Sequence, residues 1–177
     1  MASLVPSPNT CDPPPTSLMS HRSPAEAAFS LIATNVAVIT VADEKGLHGC
    51  TANAWAEACE PPLLLVTLRR EGTTRARIGA AGRFAVNLLA EDQGELARTF
   101  ARKGDRFAGV AHTLGESLGQ PLLPQALASI ECELEAEYDF GAYDILTGRV
   151  GSVRLREETE PLLFFDGGFR QLARARR

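Results

Sequence analysis

Hydrophobic positions along this chain come in short β-branched runs separated by turns, with three stretches of helical period between them. Val36 to Ala42 is apolar and Asp43-Glu44-Lys45-Gly46 reads as a turn. Leu47 to Ala54 then continues as a second strand, so the two runs predict a hairpin. Pro61-Pro62 breaks the chain before Leu63 to Leu68, an unbroken apolar run of the kind expected for a strand buried on both faces. Phe84 to Leu89 is a further strand. Beyond a loop rich in glycine and proline come two long strands, Ala128 to Tyr138 and Tyr143 to Leu155. A last apolar run, Leu162 to Phe165, precedes Gly167-Gly168.

The helical stretches carry start signals. Ser23-Pro24-Ala25-Glu26 offers serine as N-cap, proline at the first helical position and glutamate closing a capping box, for a helix running to about Ala33. Thr73 or Thr74 is expected to cap a helix that reaches Ala81 and ends at Gly82. Asp92-Gln93-Gly94-Glu95 reads as a second capping box, with Leu96 and Phe100 forming the buried stripe of the helix that follows. Strands outnumber helices, and no regular βαβ rhythm links them. The predicted fold class is mainly β with α, a β-barrel decorated by helices.

At 177 residues the chain is expected to form one domain, large enough to bury a core without disulfides. Residues 1–22, with Pro6, Pro8, Pro13, Pro14 and Pro15 among serines and threonines, read as a flexible leader. Residues 23–172 form the expected domain, and 173–177 are a basic tail. A net charge of −4 and only 6% aromatic residues argue against nucleic acid as a partner. The longest uncharged stretch, 27–42, is shorter than the roughly 20 apolar residues of a membrane span, and no signal peptide is visible. A cytoplasmic protein without a membrane partner is expected. Cys11, Cys50, Cys59 and Cys132 lack C-x-x-C spacing. His48 and Cys50 share a strand face, but two donors do not complete a tetrahedral site, so buried thiols and no metal are expected.

Three segments carry candidate chemistry. In Thr51-Ala52-Asn53-Ala54, alternation sends Thr51 and Asn53 to one face and leaves room over Ala52 and Ala54, where a flat ring can approach the backbone. An ordinary strand with a polar outer face reads the same way. Gly72-Thr73-Thr74-Arg75 opens a helix, and its N–H groups, hydroxyls and guanidinium suit an anion, although plain N-capping would also use a threonine there. Lys103-Gly104-Asp105-Arg106-Phe107 follows a helix C-terminus, where basic residues complement the helix dipole or reach a phosphate. No serine sits in a nucleophile elbow, and His21, His48 and His112 have no evident acid partner. Glu131, Glu133, Glu135 and Glu137 alternate along one strand and are expected to share a solvated outer face.

Taken together, several segments resemble the flavin reductase family, the FMN-binding split barrels. The resemblance rests on Gly49 to Ala54, Pro61 to Val66, Ala80 to Leu89, Lys103 to Phe107, Pro121-Leu122-Leu123 with Ala126-Leu127-Ala128, Glu131-Cys132, and Pro161 to Phe165, in the family's order. It implies a homodimer of split barrels with one flavin, FMN or FAD, bound to each subunit near the dimer interface. It also implies NADH or NADPH as co-substrate, and reduced flavin supplied to a separate monooxygenase. By position, Thr51, Ala52, Asn53 and Ala54 would line the flavin ring, and Thr73, Thr74 and Arg75 would hold its phosphate. Lys103 and Arg106 would support the phosphate or an adenylate. Phe165 and Phe169 would help cover the nicotinamide. Where many members read G-D-H, this chain has Gly141-Ala142-Tyr143; Tyr143 can stack there but brings no positive charge. Hydride transfer between the two rings needs alignment rather than a protein acid or base, so no catalytic side chain is expected. The alternative is a flavin-binding protein without nicotinamide-driven turnover: a carrier, a sensor or an oxidase with another donor.

Overall fold

A computed structural model describes residues 23–57, 60–157 and 159–172. The leader, the basic tail, Cys11 and Cys59 lie outside the described residues. Helix α1 (Pro24–Ser30) begins with the expected capping box: the Glu26 N–H donates to Ser23 Oγ at 3.2 Å, and the Ser23 N–H donates to the Glu26 carboxylate at 2.8 Å. It stops at Ser30, short of Ala33. The chain then forms β1 (Thr34–Asn35), β2 (Ala37–Asp43), β3 (Gly46–Ala52), β4 (Ala54–Glu57), β5 (Leu63–Arg69), α2 (Thr73–Ala81), β6 (Arg83–Leu88) and α3 (Gly94–Ala101). It continues through β7 (Thr113–Leu114), β8 (Pro121–Leu122), β9 (Ala128–Phe140), β10 (Tyr143–Leu155), β11 (Leu163–Phe165) and β12 (Gly168–Arg170).

Seven strands form one antiparallel sheet in the order β3-β2-β6-β9-β10-β5-β4. Its two edge strands, β3 and β4, are consecutive in sequence and separated only by Asn53. The sheet must therefore curl until its edges meet at that residue, with no strand pairing across the seam: a split barrel. Ile39, Val66, Ile78, Phe84, Val86 and Leu146 fill the interior, with Ile78 brought in by α2. A second cluster, including Val38, Leu89, Ala97, Phe100 and Leu162, binds α3 to the other side of the sheet. Gly148 is required by packing: a Cβ there would lie 2.5 Å from Cζ of Phe84.

Asn87 ties these layers together from within the core. Its Nδ2 donates to Thr40 Oγ1 (3.1 Å) and to the carbonyls of Val38 (3.3 Å) and Pro121 (3.4 Å). Its Oδ1 accepts from the Leu123 N–H (2.9 Å) and Ser129 Oγ (2.8 Å). A fully satisfied buried amide of this kind fixes register between β2, β6 and β9 as well as stabilising them.

Several local expectations change. Leu63 to Leu68 is not buried on both faces: Leu64, Val66 and Leu68 point inward while Thr67 is exposed, the alternation of an antiparallel strand with one wet face. Neither Thr73 nor Thr74 caps α2; Gly72 is its N-cap, and no side chain caps it. The second capping box does not form, because Gln93 is the N-cap of α3. Its side chain instead accepts from the Ala90 N–H (3.0 Å) and donates to the Pro124 carbonyl (3.0 Å). Ala97 and Phe100 are the buried positions of α3, with Leu96 partly buried.

The glutamate row is also divided. Glu133 and Glu135 stay exposed and pair with Arg149, but Glu131 is buried. The chain between β7 and β8 folds over it, so that its carboxylate accepts from the N–H groups of Leu118 (2.9 Å), Gln120 (3.1 Å) and Ser117 (3.2 Å). The Ser152 hydroxyl adds a fourth bond at 2.8 Å. Burial pushes this carboxyl upward, but the amides and the hydroxyl outweigh it and hold the group below its ordinary value. Cys132, next along β9, is a buried thiol pushed up to about 12 by desolvation, so it is inert.

Glu131→Gln sets an amide nitrogen against amide donors, and should cost about 2–3 kcal/mol at pH 7 by denaturant unfolding. The stability contributed by the wild-type carboxylate is fully present above the ordinary value of 4.5 and is lost as pH falls through the lower folded value. The difference between the two proteins should therefore narrow on acidification; a gap that stays constant to pH 3 would refute this account of Glu131.

Candidate functional site

A cleft of about 390 Å³ opens where the two edges of the sheet meet. Four parts of the chain wall it: β3 with Asn53, the outer face of β5, the first turn of α2, and Arg106, with Tyr143 at the rim. Edge strands leave main-chain N–H and C=O groups without ladder partners, so β3 presents backbone donors and acceptors beside the small side chain of Ala52.

The junction between the edges is held by one side chain. The Asn35 amide donates to the Ala54 carbonyl (2.7 Å) and accepts from the Ala54 N–H (3.2 Å), imitating a strand partner. Ala54 is thereby fixed in the core and does not line the cleft. Thr51 and Ala52 do, and so does the exposed Asn53. Thr51 Oγ donates to the Ala97 carbonyl at 2.6 Å, anchoring β3 to α3.

Helix α2 points its first turn at the cleft. The Gly72 N–H donates to the Arg69 carbonyl (2.9 Å), and a Cβ at Gly72 would lie 2.8 Å from that oxygen, so only glycine makes this turn unstrained. Ala76 makes the first helical bond, to the Gly72 carbonyl (3.1 Å). The N–H groups of Thr73, Thr74 and Arg75 therefore precede the helical ladder, with no side-chain cap competing for them, and the positive end of the dipole faces the cleft.

The arginines around this turn divide by partner. Arg75 Nε donates to Asp144 at 2.5 Å and its terminal nitrogen pairs with Glu137. Its guanidinium is thus committed to two carboxylates, and what it offers an anion is its backbone N–H. Arg70 also pairs with Asp144 (3.0 Å) and with Asp139, which accounts for a carboxylate as buried as Asp144. Arg106, by contrast, donates to two carbonyls, of Arg102 (2.5 Å) and Gly49 (2.6 Å), and has no carboxylate partner among the described residues. Arg69 likewise has no ion pair there; its guanidinium lies 5.3 Å from the centroid of the Tyr143 ring. Beside Arg106, His48 is held below its ordinary value by burial first and by the charges of Arg106 and Arg77 next, and its Nε2 is buried without a partner. It is neutral at pH 7.

Of the residues expected at the site, Thr51, Ala52, Asn53, Thr73, Thr74, Arg75, Arg106 and Tyr143 come together in this cleft. Lys103 is exposed and does not line it. Phe165 and Phe169 lie on β11 and β12 away from it. Phe169 packs edge-on to Phe164 at 5.8 Å, under the Arg98 guanidinium at 5.0 Å. Sequence reasoning missed Asn35 and Arg69. Asn35 contacts a residue 19 positions away and leaves no local signal. Arg69 was legible as a cation at a strand end just before the glycine that opens a helix.

Residues 29–173 match the model of the flavin reductase like domain. The actinorhodin polyketide dimerase of Streptomyces coelicolor is 36% identical over 151 residues, covering 84% of this chain and 85% of that protein. A flavin-dependent monooxygenase reductase subunit, HsaB of Rhodococcus jostii, is 38% identical over 138 residues, covering 77% and 70%. Among solved structures, the NADH:FAD oxidoreductase SgcE6 of Streptomyces globisporus, in complex with NAD and FAD fragments, superposes with a TM-score of 0.81 at 33% identity, covering 85% of this chain and 92% of that one. With a family model spanning most of its length, the chain belongs to the flavin reductase like domain family.

Proposed function

We propose that this protein is an NADH-dependent flavin reductase that binds FMN or FAD and supplies reduced flavin to a separate monooxygenase. The observation that carries this reading is the cleft at the seam, where an uncapped helix start faces an unpaired strand edge. A flavin needs a narrow slot for a flat ring, main-chain groups along the ring's polar edge, and an anion site for the ribityl phosphate. Thr51, Ala52 and Asn53 supply the first two, and the N–H groups of Thr73, Thr74 and Arg75 with Arg106 supply the third.

Bound flavin supplies the hydride acceptor. The chain's own part is to hold the phosphate at the α2 start, keep water from the ring wall beside Ala52, and leave the Tyr143 side open to the nicotinamide. Neutral His48 adds no charge to this wall. NADPH is read as the second donor to test. Homodimerisation is supported by apolar surface left uncovered on a single chain, including Phe29, Tyr138 and Phe140. No helix among the described residues is long and apolar enough to cross a membrane. Dependence on a cytosolic reductant supports a cytoplasmic location.

The assay follows absorbance at 340 nm with NADH or NADPH against FMN, FAD and riboflavin. Saturable oxidation of NADH that requires flavin is the expected result; bound flavin with no oxidation of either donor would leave only a flavin carrier. Arg106→Gln should raise the KM for FMN about tenfold, the scale of a charge-assisted phosphate bond, while the KM for riboflavin barely moves. Equal losses with both flavins would remove Arg106 from the phosphate site.

A further inference from the structure

We infer that Arg69, stacked on Tyr143 at the rim of the cleft, binds the pyrophosphate of the nicotinamide dinucleotide; this rests on the reductase reading. Three arginines flank the turn from β5 into α2. Arg70 and Arg75 are consumed by Asp139, Asp144 and Glu137, while Arg69 meets no carboxylate among the described residues. The difference follows from strand geometry. Leu68 and Asp144 are a rung of the β5–β10 ladder and are both buried, on the inward side. Arg69 and Tyr143 form the next rung and turn to the opposite face. Asp144 is therefore beyond the reach of Arg69, and the aromatic ring takes its place.

A guanidinium over a tyrosine face keeps its charge and its planar fork of donors, and the stacking orders it beforehand. On the same face lie Thr67 and the exposed Trp55, whose partner on β5 is Leu65, so the face continues away from the helix start as a solvent-open strip. The reaction brings together two anionic ligands. The α2 start and Arg106 already suit one phosphate, and a second placed there would be repelled by the first. The dinucleotide pyrophosphate needs its own cation along the open wall, and Arg69 is an unneutralised one lining it. A tyrosine brings no positive charge, so the contribution of Tyr143 is to hold Arg69 in place beside the nicotinamide.

The test compares wild type with Arg69→Gln and Arg69→Lys in steady-state kinetics, using NADH and, separately, 1-benzyl-1,4-dihydronicotinamide, a hydride donor without phosphate. Arg69→Gln should raise the KM for NADH about tenfold, as expected for one lost charge-assisted contact, with kcat and the KM for FMN within about twofold. The phosphate-free donor should be used equally well by both proteins, and Arg69→Lys should recover part of the loss. That selectivity separates charge recognition from a structural defect, which would penalise both donors. A raised KM for FMN with NADH unaffected, an unchanged KM for NADH, or equal losses with both donors overturns the assignment of Arg69. A wild-type protein inactive with every donor overturns the reductase reading itself, and the assignment with it.

Discussion

The amide of Asn35 holds both backbone groups of Ala54, and the geometry of the cleft hangs on that pair of hydrogen bonds. At this point the chain leaves one edge of a seven-stranded sheet and enters the opposite edge after a single residue. Two edge strands meeting at a vertex would ordinarily expose main-chain groups in a place where nothing defines their direction. By standing in for a strand partner at Ala54, Asn35 fixes where β3 ends and β4 begins, and so where the slot between them lies. Asn87 does comparable work within the sheet, where five hydrogen bonds lock β2, β6 and β9 to β8 and the residue after it.

Charge around the cleft is distributed by strand alternation. Positions that face inward on β5 and β10 carry hydrophobic residues and the buried Asp144, which draws in Arg70 and Arg75 and pins the start of α2 against the sheet. On the outward face at the rim of the cleft, Arg69 meets the Tyr143 ring instead of a carboxylate. A helix start pinned by its own arginine turns oriented peptide groups, rather than a mobile side chain, toward the cleft. This division explains why the residue expected to bind phosphate through its charge serves mainly as a clasp, while Arg69, one rung away, retains its charge.

Most of the fold was legible because antiparallel strands with one wet face write their alternation into the sequence. The hairpin of β2 and β3, the long pair β9 and β10, and the capping box of α1 all follow from local patterns. The errors came from partners remote in sequence. Glu131 looks like its exposed neighbours Glu133 and Glu135 until a loop folds across it and a register shift at Gly151 of β10 sets Ser152 opposite it, with its hydroxyl on the carboxylate. Arg75 looks free until Asp144, 69 residues away, is placed beside it. At α2 and α3 the capping residues were misjudged because a glycine turn and a glutamine that bonds elsewhere took the positions expected of threonine and aspartate. The resemblance placed the cleft residues of β3 and α2 together; Phe165 and Phe169 do not line the cleft, and Phe169 lies under Arg98 of α3.

A binding slot made largely of strand edge and helix start has a bearing on inheritance. Peptide groups are the same whatever side chain they carry, so substitutions that respect the bends at Gly72 and Asn53 leave such a slot intact. Recognition of this kind is passed on through topology more than through residue identity. Relatives sharing about a third of their residues with this chain can then keep the same backbone course, as the superposition at 33% identity with a TM-score of 0.81 shows. Divergence is left free to act on the few side chains at the rim.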